Sequence, residues 1–138
     1  MAAFEWREKE SPHFGRVWVP VIVAEFQAVS GTFTKLHMVV DSGAIATFVR
    51  RSFAEELGIE LDSGRPVRLA NAAGGYSEAF VHELAIRLDR DEPAFKVPVA
   101  IATRENVPNL LGRLGVFDRR RITFEPLSRR TLIESPNE

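Results

Sequence analysis

Alternation with a period of two constrains this chain more than any other feature. Between Tyr76 and Leu88, the residues Phe80, His82, Leu84, Ile86 and Leu88 fall on one side, and Val81, Glu83, Ala85 and Arg87 fall on the other. Successive side chains of a strand point to opposite faces, so the pattern predicts a strand with one apolar face. Phe95, Val97, Val99 and Ile101 repeat it against Lys96, Pro98 and Ala100. In Val17 to Val23, the four valines at 17, 19, 21 and 23 alternate with Trp18, Pro20 and Ile22. Pro20 hints at a sheet edge, because proline cannot donate to the ladder. Ser30-Gly31 supplies a turn, Thr32 to Val40 reads as the next strand, and the two segments are expected to form a hairpin.

The rest of the chain is read in equally short pieces. Ile45 to Val49 is β-prone. Ser52-Phe53-Ala54-Glu55 has the spacing of a capping box, with Gly58 placed to end a short helix whose inward side is Phe53 and Leu57. Val67-Arg68-Leu69 begins a strand that reaches a glycine tip, Ala72-Ala73-Gly74-Gly75, and the chain returns through Tyr76. A turn over Arg90 to Pro93 separates the two best strands. Asn109-Leu110-Leu111-Gly112-Arg113 follows as a short apolar segment, then a short helix through Phe117 and Asp118 and a strand over Arg121 to Glu125. Many short strands with glycine turns and two short helices give an all-β barrel or sandwich. No repeat or linker divides it, so one domain is expected over residues 1–138, with its core at about 17–126; a chain of 138 residues can bury about two thirds of its unfolded surface.

One motif in this framework is out of place for a purely structural role. The apolar run Leu36-His37-Met38-Val39-Val40 ends at Asp41-Ser42-Gly43-Ala44, which puts a carboxylate at the end of a strand, where desolvating it is costly. Paired carboxylates can hydrolyse by acid-base catalysis, but the chain has a single motif of this kind. The second carboxylate must therefore come from another copy of the chain, or not exist.

Other chemistries have less support. Lys+Arg 18 against Asp+Glu 19 leaves a net charge of −1, which gives no global field toward nucleic acid or an anionic membrane. Cysteine is absent, so neither disulfides nor thiolate metal sites are available. His13, His37 and His82 show no metal-ligand spacing, and no metal or other cofactor is expected. A lone His82 on an apolar face reads as a satisfied core or interface histidine. Arg50-Arg51, Arg119-Arg120-Arg121 and Arg129-Arg130 read as solvated faces or ion-pair partners. Met1 to Pro12 lacks the continuous apolar stretch of a secretory signal, and the default expectation is a cytoplasmic protein.

Taken together, Val39-Val40-Asp41-Ser42-Gly43-Ala44, the Gly74-Gly75 tip and Leu110-Leu111-Gly112-Arg113 resemble, in order and spacing, the retropepsin-like aspartic protease family. The resemblance covers roughly Val17 to Pro126. It implies a closed, mostly antiparallel β-barrel that acts as a homodimer on peptide or protein substrates, with Asp41 of each copy as catalytic residue. By the same resemblance Ser42 takes the place of a threonine whose hydroxyl bonds across the dimer, Gly43 and Ala44 complete the active-site turn, and Gly74, Gly75 and Tyr76 form a flap over the peptide. Leu111, Gly112 and Arg113 form the structural segment beside the site. Retroviral members follow the motif with an acidic residue that pairs with the arginine; here Ile45 and Ala46 stand there, so Arg113 must find another carboxylate or water. Phe4, Trp6, Leu132 and Ile133 could supply an intersubunit sheet. Against the protease stand two alternatives: a non-catalytic peptide-binding or dimerisation module with the same barrel, and a monomeric barrel in which Asp41 merely caps a turn.

Overall fold

Pro20 decides how the N-terminal part of the chain is laid out. The computed structural model describes residues 1–71 and 73–136. It places β1 (Ala2–Glu5), β2 (Arg7–Ser11) and β3 (Gly15–Val19) before the proline, and β4 (Val21–Gln27) after it. The strand expected over residues 17–23 is thus two strands in different sheets, because a residue without an N–H ends one ladder before the next begins. β3 pairs with β2, from Arg7↔Val19 to Ser11↔Gly15. The expected hairpin belongs to β4 alone, which pairs with β5 (Phe33–Val40) from Val21↔Val39 to Gln27↔Phe33.

The chain continues through β6 (Thr47–Val49), α1 (Ser52–Leu57), β7 (Arg65–Ala70), β8 (Tyr76–Arg87), β9 (Phe95–Ala102), β10 (Leu110–Leu111), β11 (Ile122–Glu125) and β12 (Arg130–Ile133). Six strands pair in the order β4-β5-β10-β6-β9-β8, and β8 returns to β4 through Glu25↔Arg87 and Phe26↔Ile86. That return closes the barrel. β5–β10 and β6–β9 are parallel and the other pairings antiparallel, so the closed, mostly antiparallel barrel is as expected. β7 extends the sheet as the outer partner of β8. A short helical turn covers Leu61–Ser63, and the helix expected through Phe117 and Asp118 is a turn over Arg113–Phe117, kinked at Leu114 and Gly115, where Gly115 has φ 79°.

The barrel interior takes alternate residues from each strand. Ile22, Ala24 and Phe26 of β4, Met38 and Val40 of β5, Leu84 and Ile86 of β8, and Val97, Val99 and Ile101 of β9 form one cluster with Leu111. α1 adds Phe53, Ala54 and Leu57, and Phe53 meets Phe26 edge-on with ring centroids 5.0 Å apart. Each large side chain buried this way stabilises the fold by about 1.5–3 kcal/mol. On β8 the alternation serves two faces. Leu84 and Ile86 enter the barrel, Phe80 and His82 are half-buried, and Ala79 is buried on the opposite face with Phe48, Ala100 and Ala102.

Two expectations at the ends of elements are corrected. Gly58 does end α1 in a left-handed conformation, but no capping box forms: Arg51 is the N-cap and Ser52 is already helical. Ser52 instead gives its N–H (2.8 Å) and its hydroxyl (2.6 Å) to the Glu105 carboxylate, a charged acceptor that satisfies the helix start better than a neutral side chain. The terminal strands, read as material for an intersubunit sheet, pair within one chain as β1-β12-β11, from Ala2↔Ile133 to Glu5↔Arg130. Their inner residues explain the pairing, since Ile133 is buried in the barrel core with Phe4 against it.

Candidate active site

Asp41 is held by its own backbone before its side chain does anything. β10 runs parallel to β5 with Leu110↔Val39 and Leu111↔Val40, and the ladder ends with Asp41 N–H donating to the Leu111 carbonyl at 3.0 Å. The half-buried Asp41 therefore stands just past the end of a barrel strand. From there the chain turns back on itself: Ala44 N–H donates to the Asp41 carbonyl at 3.2 Å, and Gly43 N–H donates to Asp41 Oδ1 at 2.8 Å. A hydrogen bond to a carboxylate is among the stronger kinds, and this one fixes the orientation of the acid. Gly43 and Asp41 are thus tied within one turn.

The Gly112-Arg113 segment clamps this turn from the side. Arg113 N–H donates to the Ala44 carbonyl and Leu114 N–H to the Ile45 carbonyl, both at 3.0 Å, while Gly112 N–H reaches the buried Thr47 hydroxyl at 3.2 Å. A Cβ at Gly112 would lie 2.2 Å from the Ala46 carbonyl oxygen, so only glycine allows this approach. With Ile45 and Ala46 offering no acid, the Arg113 guanidinium donates to the backbone carbonyl of Ser42 at 3.1 Å. A main-chain oxygen takes the role expected of a carboxylate or water. Ser42 itself is exposed beside Asp41.

The β7–β8 hairpin ends in a tip organised by Asn71, a residue the sequence reading did not single out. Asn71 Oδ1 accepts from the N–H groups of Ala73 and Gly75, each at 3.1 Å, and Asn71 N–H donates to the Gly75 carbonyl at 2.9 Å. Gly74 adopts φ 86°, which suits glycine. Tyr76 is exposed under the Arg68 guanidinium, 4.8 Å from its ring centre. Ala72, assigned to the same tip, lies outside the described residues. Below the tip, Val67 and Leu69 of β7 and Val81 of β8 pack with Phe48, Ala79, Ala100, Ala102 and Leu110 on the outer face of the barrel. Leu110 immediately precedes the residue that receives the Asp41 N–H, so one apolar surface joins the hairpin root to the Asp41 turn. Of two grooves of about 430 Å³ each, one is lined by Phe4, Lys35, His37 and Arg87 among others, and the other borders this cluster at Val67 and Ala79, with Pro66, Arg68, Phe80 and Thr103. Neither includes Asp41.

Remaining polar groups fall into structural roles. His82 Nε2 donates to the Leu61 carbonyl at 2.9 Å, the satisfied histidine expected. Each arginine cluster sends at least one member to an acid: Arg50 to Glu56 and Glu105, Arg120 to Glu92, Arg121 to Glu134 and Arg130 to Glu125. Two supports of the site escaped the sequence reading, Thr47 under Gly112 and the Asn109 side chain, whose Oδ1 accepts from Arg50 N–H at 3.0 Å. The signal for Thr47 was a lone hydroxyl inside an apolar strand.

A closed six-stranded barrel whose Asp-Ser-Gly-Ala turn is clamped by a Leu-Gly-Arg segment is the fold of retropepsin-like aspartic proteases. The chain belongs to the family described as "gag-polyprotein putative aspartyl protease", which matches residues 28–114. Among solved structures it is similar to a retropepsin-like aspartic protease from Rickettsia conorii, with TM-score 0.59 and 18% identity over 97% of this chain and 99% of that one. It is also similar to the EIAV protease complexed with the inhibitor HBY-793, with TM-score 0.52 and 19% identity over 69% of this chain and 82% of that one. At such identities the likeness is one of fold. No curated protein sequence matches the chain.

Proposed function

We propose that the chain is an aspartic endopeptidase that works as a homodimer, with one Asp41 from each copy in a shared site. The observation that carries this reading is the Gly43 N–H donating to Asp41 Oδ1 at 2.8 Å in a turn clamped by Gly112, Arg113 and Leu114. Two carboxylates within a few ångströms cannot both ionise easily, so the pair holds one proton. The ionised member takes a proton from water as it attacks the peptide carbonyl, and the protonated member gives its proton to the carbonyl oxygen. Aspartic proteases in general divide the labour between two like acids in this way. On this reading the exposed Ser42 gives its hydroxyl to the second copy, and Asn71, Gly74, Gly75 and Tyr76 form a hairpin tip suited to cover an extended peptide and exclude water. Phe48, Leu110, Val67 and Leu69 pack together beneath the tip and support it.

Hydrolysis of an internally quenched peptide library tests the reading. Cleavage is expected in the parent, lost in Asp41→Asn and blocked by a statine-type transition-state mimic. Turnover that survives Asp41→Asn would rule out the dyad.

A further inference from the structure

The two segments that meet at the Asp41 turn carry two large, exposed aliphatic side chains. Ile45 is 54% exposed and Leu114 44% exposed, and neither belongs to either apolar cluster of the barrel. They form one rigid piece with the catalytic turn, because Leu114 N–H donates to the Ile45 carbonyl and Arg113 N–H to the Ala44 carbonyl. Ser42 and Gly43 complete the exposed surface next to the carboxylate. Between Asp41 and Ile45 and between Gly112 and Leu114 the charged side chains are Asp41 and Arg113, and Arg113 already donates to the Ser42 carbonyl at 3.1 Å. Folding of the single chain leaves about half of each of these two residues in water.

We infer that Ile45 and Leu114 form an apolar contact with a second copy of this chain, and that this contact, rather than an ion pair, holds the second Asp41 turn against the first. The inference rests on the dyad reading and deepens it. One chain supplies one Asp41, so the site is incomplete until a second copy presents its own turn at hydrogen-bond distance. A two-fold axis through such a pair passes beside whatever is fixed to the turn, and the same patch meets the same patch on both sides. Ile45 and Leu114 are what is fixed there. A neutral contact suits the position, since it adds no further charge beside two carboxylates that already repel. Each copy contributes the pair once, so one dimer covers four aliphatic side chains.

Sedimentation velocity over a concentration series tests this on the parent, Ile45→Ser and Leu114→Ser, at low and high salt. Both residues are exposed, and far-UV circular dichroism is expected to be the same for all three proteins. The substitutions are expected to raise the dimer dissociation constant by at least about tenfold, and the parent dimer is expected to hold as salt rises, as an apolar contact does and an exposed ion pair does not. Variants that dimerise as tightly as the parent overturn the inference, and so does a parent dimer that dissociates with added salt. Variants that dimerise normally but need more of the quenched peptide for half-maximal rate assign the patch to the substrate and overturn it too. A parent that stays monomeric at every concentration overturns the homodimer reading itself, whereas an active, dimeric parent with unaffected variants overturns only the contact.

Discussion

At the scale of single residues, the site depends most on a side chain that is missing. Gly112 approaches the Ala46 backbone so closely that a methyl group would sit 2.2 Å from its carbonyl oxygen. Backbone cannot give way there as a flexible side chain would. Gly112→Ala is therefore expected to destabilise the fold by about 3 kcal/mol, measured by urea denaturation, because Gly112 N–H must also leave the buried Thr47 hydroxyl. A variant as stable as the parent would show that the clamp on the Asp41 turn is dispensable. Asp41, Gly43, Gly112 and Arg113 were legible in the sequence because tight backbone approach and charge leave few residue types that serve. Thr47, Asn109 and Glu105 were not, since each acts through a polar side chain whose partner lies 65, 59 and 53 residues away. Asn71 acts locally, and the turn-forming habit of asparagine was an available signal that the adjacent glycines overshadowed.

Between elements, the start of α1 and the loop that feeds β10 are tied by one carboxylate. Glu105 accepts from both the N–H and the hydroxyl of Ser52, and Arg50 Nε stands 3.0 Å away. These Ser52 hydrogen bonds, with Arg50 adding to them, hold the Glu105 carboxyl below its ordinary value. A carboxylate with a lowered folded-state pKa stabilises fully above its unfolded-state value, and that contribution is lost as pH falls through the lowered one. The stability lead of the parent over Glu105→Gln is thus expected at neutral pH and should shrink toward zero in acid, followed by thermal denaturation. A lead that is constant across that range would contradict the tie. The element scale also shows what alternation could not announce. β2 is an exposed, charged strand, Arg7-Glu8-Lys9-Glu10-Ser11, with no apolar period. It is ordered by pairing with β3 and by Arg16, which reaches Glu8 at 3.2 Å and Glu10 at 3.3 Å. The strands with an apolar face, β5, β8 and β9, were legible because burial imposes the period that a reader can see.

For the molecule as a whole, closure of the barrel rests on the two rungs Glu25↔Arg87 and Phe26↔Ile86 between β4 and β8. The first rung carries an ion pair at 2.8 Å with Arg87 lying 4.0 Å over the Phe33 ring, and the second is wholly buried. Phe26 also meets Phe53 of α1, so it joins barrel and helix. Phe26→Ala is expected to cost about 3–5 kcal/mol in equilibrium denaturation, against little change for a substitution at exposed Val29. Equal losses at both positions would mean that closure is not where the barrel is held. That β4 would meet β8 was not legible, since no local pattern names a partner 62 residues on. The antiparallel pairing of β1 with β12 has a different consequence. Ala2 lies directly opposite Ile133, so β1 and β12 are neighbours across a single strand spacing although they lie far apart in sequence. A chain nicked at the exposed bend His13-Phe14 would therefore keep its first strand in place, because β1 is held by β12 and not by its link to β2.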